Sequence, residues 1–207
     1  RYRISSIEPN LISDEVIQLV KNSEKFMPHF HIPMQSGSDI VLGKMKRRYQ
    51  TKLYRTKIEK IVSEVKDVCI GADVIVGFPG ETNEEFDKTL NFIKDLPLSY
   101  LHVFTYSERE NTPAIDMDGV VSKSDRADRS KQLRILSNKL QRSFYEKYLD
   151  TEHTALFEQE NKEGYLFGFT DNYIKIKIPF QSTICRTKKQ VKLIAIDDDG
   201  IMKAELL

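Results

Sequence analysis

The sequence predicts an α/β chain in two parts, an incomplete series of βα units followed by a small all-β barrel. Three observations carry that reading. From Arg3 to Tyr106, short apolar runs alternate with segments whose apolar residues recur three or four apart. One long amphipathic pattern then runs from about Asp125 to Leu149. From Thr151 onward the helical spacing gives way to short alternating strands punctuated by Gly, Asn, Asp and Pro. These changes divide the chain into 1–124, 125–150 and 151–207.

The apolar runs are Arg3 to Ile7, His29 to Met34, Ala72 to Phe78 and Tyr100 to Tyr106. Helical spacing separates them: Val16, Ile17, Val20; then Tyr54, Ile58, Ile61, Val62, Val65; then Phe86, Leu90, Ile93. Ser13, Ser38 and Thr51 stand where an N-cap is expected, and Thr82 with Glu85 has capping-box spacing. Connections of this length allow helical crossovers, so the strands are expected to be parallel. Four such units fit either an open doubly wound sheet or the later part of a partial barrel. On the long helix, Leu133, Leu136, Leu140, Phe144 and Tyr148 form one stripe expected to pack on that barrel, with Arg and Lys on the other faces. The tail offers strands at Thr154 to Glu158, Gly164 to Thr170, Tyr173 to Pro179, Gln190 to Ile196 and Ile201 to Leu206, a meander expected to close antiparallel.

Composition narrows function little. The 207 residues carry 40% hydrophobic and 30% charged side chains, and no stretch approaches the roughly 20 apolar residues of a membrane span. A net charge of +1 gives no global attraction for a polyanion, so a nucleic-acid surface has to come from local clustering of Lys and Arg. Cys69 and Cys185 lie far apart, and a cytoplasmic location is expected. The chain opens at Arg1, already in a strand-like segment, and is expected to be a piece of something longer.

In parallel α/β folds ligands bind at the carboxyl ends of strands. Four polar segments fall there: Ser5 to Asn10, Pro33 to Asp39, Gly77 to Thr82 and Tyr106 to Arg109. One such segment is an ordinary turn; four at corresponding places point to a shared pocket. Gly77 and Gly80 either admit a flat ligand or only permit turns before the helix that follows. Asp73, inside the run that continues Val74-Ile75-Val76, must face the barrel interior or find a partner. His29, His31 and His102 could bind a metal, but no Cys, Asp or Glu evidently completes the set, so hydrogen bonding inside the barrel is the simpler reading. Lys44, Lys46, Arg47 and Arg48 are a solvated face or a site for a carboxylate or phosphate.

Several motifs resemble, in order and spacing, the later barrel of the radical S-adenosylmethionine methylthiotransferases. They are Arg3-Ile4-Ser5-Ser6-Ile7-Glu8-Pro9, His31-Ile32-Pro33-Met34-Gln35-Ser36-Gly37-Ser38, Met45-Lys46-Arg47-Arg48-Tyr49, Asp73 through Thr82, and His102 through Ser107. The tail, with Gly168-Phe169-Thr170-Asp171-Asn172-Tyr173-Ile174, looks like a TRAM domain, the small RNA-binding barrel of that family. The resemblance implies that Glu8, Gln35, Arg47 (or Arg48) and Asp73 line the site of S-adenosylmethionine (SAM), and that Gly77, Val103 and Phe104 approach its adenine. It implies a whole enzyme with two 4Fe–4S clusters that cleaves SAM to a radical, abstracts hydrogen, inserts sulfur and methylates. The family's cluster cysteines lie in regions not represented in this sequence, so the chain alone is expected to be inactive, with no metal of its own. Asn111 stands where the family usually has glycine, a turn that asparagine tolerates.

Phe26 through His31 and the Asp199-Gly200 ending look closest to family members acting on N6-threonylcarbamoyladenosine at position 37, in the anticodon stem-loop of tRNA. The alternatives within the family are an N6-isopentenyladenosine tRNA or an aspartate of a ribosomal protein as substrate; outside it, a non-catalytic RNA-binding scaffold or a metal hydrolase. Lys175, Lys177, Arg186, Lys188, Lys189 and Lys192, with Tyr173 nearby, are the candidate RNA face. Glu152, Glu158, Glu160, Glu163 and Asp197 to Asp199 nearly balance their charge.

Overall fold

The computed structural model describes residues 1–207 except the side chains of Glu160 and Asn161. Strands β1 (Tyr2–Ile4), β2 (Phe26–His31), β3 (Cys69–Val76) and β4 (Tyr100–Thr105) form one sheet in the order β1-β2-β3-β4, with every pairing parallel. An order that never reverses has no switch point, so the doubly wound alternative is excluded and the sheet is a segment of a partial barrel.

Helices α1 (Asp14–Asn22), α3 (Thr51–Glu64) and α4 (Asn83–Lys94) bury one face of that sheet; α2 (Asp39–Lys44) is a short turn of helix after β2. Ile17, Tyr54, Ile58, Ile61, Phe86 and Ile93 pack there against Phe30, Ile70, Val74 and Val76. Ser13, Ser38 and Thr82 cap α1, α2 and α4 by accepting from Val16, Val41 and Glu85 N–H. At α3 the expectation is corrected. Gln50 is the N-cap and Thr51 the first helical residue, its N–H held by the Asp39 carboxylate at 2.7 Å. Nor does Glu85 return to its own cap, because its carboxylate is taken by Ser38 and Lys88.

The long helix α5 (Lys123–Glu146) begins at the Ser122 cap, slightly earlier than its apolar stripe suggested, and lies along edge strand β4. Ser137 Oγ accepts from Leu101 N–H and donates to Leu101 C=O, which satisfies an edge that would otherwise stay open. Its stripe serves two cores. Leu133, Leu136 and Leu140 join the sheet core, whereas Phe144 and Tyr148 join the core of the tail.

Strands β5 (Glu152–Lys162), β6 (Tyr165–Thr170), β7 (Lys175–Pro179), β8 (Lys188–Ile196) and β9 (Met202–Leu206) close a barrel in the order β5-β6-β7-β9-β8. The expected all-antiparallel meander is corrected at one seam, since β7 and β9 pair parallel. β8 crosses over to pair with β5, so β9, returning antiparallel to β8, meets β7 running the same way. Phe157, Leu166, Ile176, Val191, Leu193 and Met202 fill the interior. Arg1 ties β1 to this barrel through Thr154 C=O (2.6 Å) and Phe169 C=O (3.2 Å). No helix among the described residues is long and apolar enough to cross a membrane.

Candidate functional site

Strand alternation sorts the sheet residues by face. Ala72, Val74, Val76 and Leu101 turn toward the helices and are buried. Asp73 and Ile75, paired with His102 and Phe104 on β4, turn to the opposite, concave face. Val103 therefore parts from Phe104: its side chain packs into the helix-side core and lines neither cavity described below.

A 640 Å³ cavity opens at the carboxyl rim, walled by Ile75, Phe78, Phe104 and Met117 and by the polar groups of Arg47 and Tyr106. Arg47 comes from the turn after α2 and ion-pairs with Glu8, from the loop after β1, at 3.3 Å. Gln35 bridges to Val74 beside the end of β2, held at φ 66, and its Oε1 is buried without a hydrogen-bond partner, as are Arg47 Nε and Tyr106 Oη. Glu8, Gln35 and Arg47 thus gather at one rim.

Asp73 lies deeper and opens into a second cavity of 440 Å³ that adjoins the first, with Phe104 lining both. The expectation that it needs a partner is met twice over. His31 Nε2 sits 2.8 Å and His102 Nδ1 3.4 Å from its carboxylate. The histidine grouping is corrected accordingly: Asp73 belongs with His31 and His102, the three ligand-type atoms lying within 4.8 Å of one another. His29 instead meets the Tyr100 hydroxyl at 3.0 Å. Burial and the neighbouring Arg3, His31 and His102 push the His29 pKa down to about 3, so its ring is neutral at ordinary pH.

Gly77 has a structural role in the loop after β3. With φ at +77° it runs beneath Arg126, where a Cβ would collide with that side chain, and its N–H donates to Glu81 Oε2 at 2.6 Å. Glu81 is sealed from solvent and bound by Arg129 at 2.7 Å. Burial raises its pKa despite the opposing Gly77 and Arg129 contacts. Arg126 is equally engaged, with Tyr106 C=O, Val121 C=O and Glu108. Neither arginine was singled out in the sequence, although both continue the α5 stripe toward its N-terminus at helical spacing.

The candidate RNA face divides. Lys177 is buried between Asp197 and Asp199, each at 2.6 Å; desolvation opposes its charge, but the two carboxylates outweigh it and raise the pKa. It is not a free cation. Lys192 reaches Asp150 at 3.4 Å, Arg186 bonds the Gln159 side chain, and Lys175 lies over the Phe167 ring at 5.3 Å. Lys188 and Lys189 stay exposed on β8, opposite Leu156 and Ala155. Tyr173 is elsewhere: its ring packs at 4.3 Å from His29 and 4.8 Å from Phe169, at the junction with the sheet. Glu160 lies outside the described side chains.

Residues 1–93 match the radical SAM superfamily. The chain is 41% identical over 180 residues to the threonylcarbamoyladenosine tRNA methylthiotransferase MtaB of Bacillus subtilis, covering 85% of this chain and 40% of that protein. It is 38% identical over its whole length to the same-named protein of Rickettsia prowazekii, covering 47% of it. A tRNA-2-methylthio-N(6)-dimethylallyladenosine synthase of Clostridium tetani is 38% identical over 83% of this chain and 38% of its own length. Among solved structures, the radical SAM enzyme coproporphyrinogen III oxidase of Escherichia coli shares the fold, with TM-score 0.53 at 18% identity over 65% of this chain and 31% of that one. Spanning less than half the length of these curated relatives, the chain belongs to the radical SAM superfamily and, within it, to the tRNA methylthiotransferases.

Proposed function

We propose that the chain is the part of a radical SAM methylthiotransferase that holds SAM and presents tRNA, acting on N6-threonylcarbamoyladenosine at position 37. The observation that carries this is the 640 Å³ cavity at the carboxyl rim, in the size range of small-molecule sites, roughly 300–1,000 Å³. Its residues fit SAM. Phe78, Phe104 and Ile75 offer apolar walls for an adenine, and Arg47, steadied by Glu8, offers a fork for a carboxylate; Gln35 stands outside this lining, with its Oε1 buried. SAM supplies the radical chemistry and the methyl group when bound. Asp73 stands one cavity away, so we assign it to the substrate side of Phe104.

The two cysteines, one in the tail core and one at the barrel surface, are too few for a 4Fe–4S cluster. In this reading both clusters are held by residues beyond this chain, which is inactive without them. The tail is assigned as a TRAM-type barrel that docks the anticodon stem-loop. Relatives named for threonylcarbamoyladenosine over 85% and 100% of this chain support the substrate. The relative named for dimethylallyladenosine keeps that nucleoside as the second reading.

The test uses the complete protein, reconstituted anaerobically and given tRNA bearing either nucleoside, with the products read by nucleoside mass spectrometry. A methylthio group gained on the threonylcarbamoyl nucleoside is expected; gain only on the dimethylallyl one would refute the substrate assignment. Arg47→Ala should weaken SAM binding by about tenfold to a hundredfold, measured by calorimetry, the range for one charged hydrogen bond. Lys188→Gln with Lys189→Gln should lower tRNA affinity and reduce the slope of log K against log salt by about 2, one unit per lost phosphate contact. Lys177→Gln should leave that slope unchanged.

A further inference from the structure

The 440 Å³ cavity is lined almost wholly by polar and aromatic side chains, and it draws on both modules. Tyr173 reaches it from the barrel; Arg3, His29, Tyr100 and His102 reach it from the sheet. Hydrogen bonds run through this wall from His29 to the Tyr100 hydroxyl, from there to His31 at 3.3 Å, and from His31 to Asp73. Both histidine contacts to Asp73 go to its Oδ1. Arg3 is left with a different balance. Its guanidinium lies 4.4 Å from the Tyr173 ring centre and donates only a 3.5 Å bond to Thr170 C=O. No carboxylate lies within ion-pair distance of it among the described residues, and its Nε is buried without a partner, as is His29 Nδ1. Asp73 shares this lining but lies beyond ion-pair distance of Arg3, so the half-buried guanidinium faces the cavity with no ion-pair partner of its own, a place for an anion.

Which anion follows from position. Phe104 is shared by this cavity and the one assigned to SAM, so a group bound here stands beside the radical source. Tyr173 brings the barrel, the module assigned above to RNA docking, into the wall of this cavity. The two nucleosides named for relatives differ where this cavity can tell them apart. A threonylcarbamoyl substituent ends in a carboxylate and a hydroxyl, whereas a dimethylallyl group has no polar atom. An apolar group here would leave Arg3 and His29 without partners, an expensive form of mismatch.

We propose that this cavity receives the N6 substituent of the target adenosine and selects one ending in a carboxylate, with Arg3 as the anion partner and His102 as a second specificity-determining residue. The inference rests on the function proposed above and deepens it. His102 lines the cavity with its Nδ1 3.4 Å from the Asp73 carboxylate.

The same anion site could take a backbone phosphate of the tRNA, and the experiment separates the two. The complete protein is titrated with an anticodon stem-loop carrying threonylcarbamoyladenosine and with the same stem-loop carrying the threonine amide, which keeps every phosphate and loses the carboxylate. The wild type should bind the acid about tenfold to a hundredfold more tightly than the amide. Arg3→Met should bring that ratio to about one, Arg3→Lys should restore part of it, and His102→Phe should reduce it. Because the readout is a ratio within one variant, a partly unfolded preparation does not mimic it. Equal binding of acid and amide by the wild type, or an unchanged ratio in Arg3→Met, overturns the inference while leaving methylthiolation of the nucleoside intact. Failure of the wild type to modify threonylcarbamoyl tRNA overturns the function beneath it as well.

Discussion

Replacing Arg129 by methionine is expected to cost about 3–5 kcal/mol of folding stability, the range for removing one partner of a buried ion pair. For a chain of this size that lowers the melting temperature by roughly 6–20 °C, readable by circular dichroism. The reason lies in Glu81, whose side chain is wholly excluded from water and whose carboxylate has only Arg129 and the Gly77 N–H to balance it. The loss should also depend on pH. Burial already raises the Glu81 pKa in the folded protein, so the folded state binds a proton more readily than the unfolded one, and stability falls as pH rises through that interval. Without Arg129 the folded pKa climbs further. The deficit of Arg129→Met should therefore be smaller near pH 5 than near pH 8, and an equal deficit at both would show that Glu81 is not the source.

Phe144→Ala is expected to cost a further class of stability, about 3–5 kcal/mol, because the ring is buried in the tail core beside Tyr145 and Tyr148. Its location makes the variant informative. Leu133, on the same helix, belongs to the sheet core, so α5 joins two cores with one continuous backbone. Denaturant unfolding followed by tyrosine fluorescence and by far-ultraviolet dichroism should keep a single shared transition in Phe144→Ala, shifted to lower denaturant. Two separated transitions would mean that the helix does not couple the cores.

What the sequence made legible was local. Ser13, Ser38 and Thr82 are caps because a short side chain can reach an N–H three residues on, whatever the rest of the chain does. The parallel strands followed from connection lengths, and the gathering of Glu8, Gln35 and Arg47 at one rim from their places after apolar runs. The unread features depend on distant partners. Thr51 lost its capping role to Asp39, twelve residues away; the Lys177 ammonium is taken up in ion pairs with Asp197 and Asp199; the β7–β9 seam depends on where β8 crosses. Asp73 was recognised as needing a partner, but which histidines would supply it depended on strand register. Arg126 and Arg129 sit on an amphipathic helix, where arginine ordinarily faces solvent, and their burial depends on the distant Glu108 and Glu81.

The Phe104 ring borders both cavities, which in the reading proposed above hold different ligands. Trimming it would loosen both compartments together, so kinetic losses in a Phe104→Ala variant should combine with those of Arg47 or His102 variants in a non-additive way. Epistasis across one aromatic ring would then be the signature of a reaction in which neither ligand is positioned independently of the other.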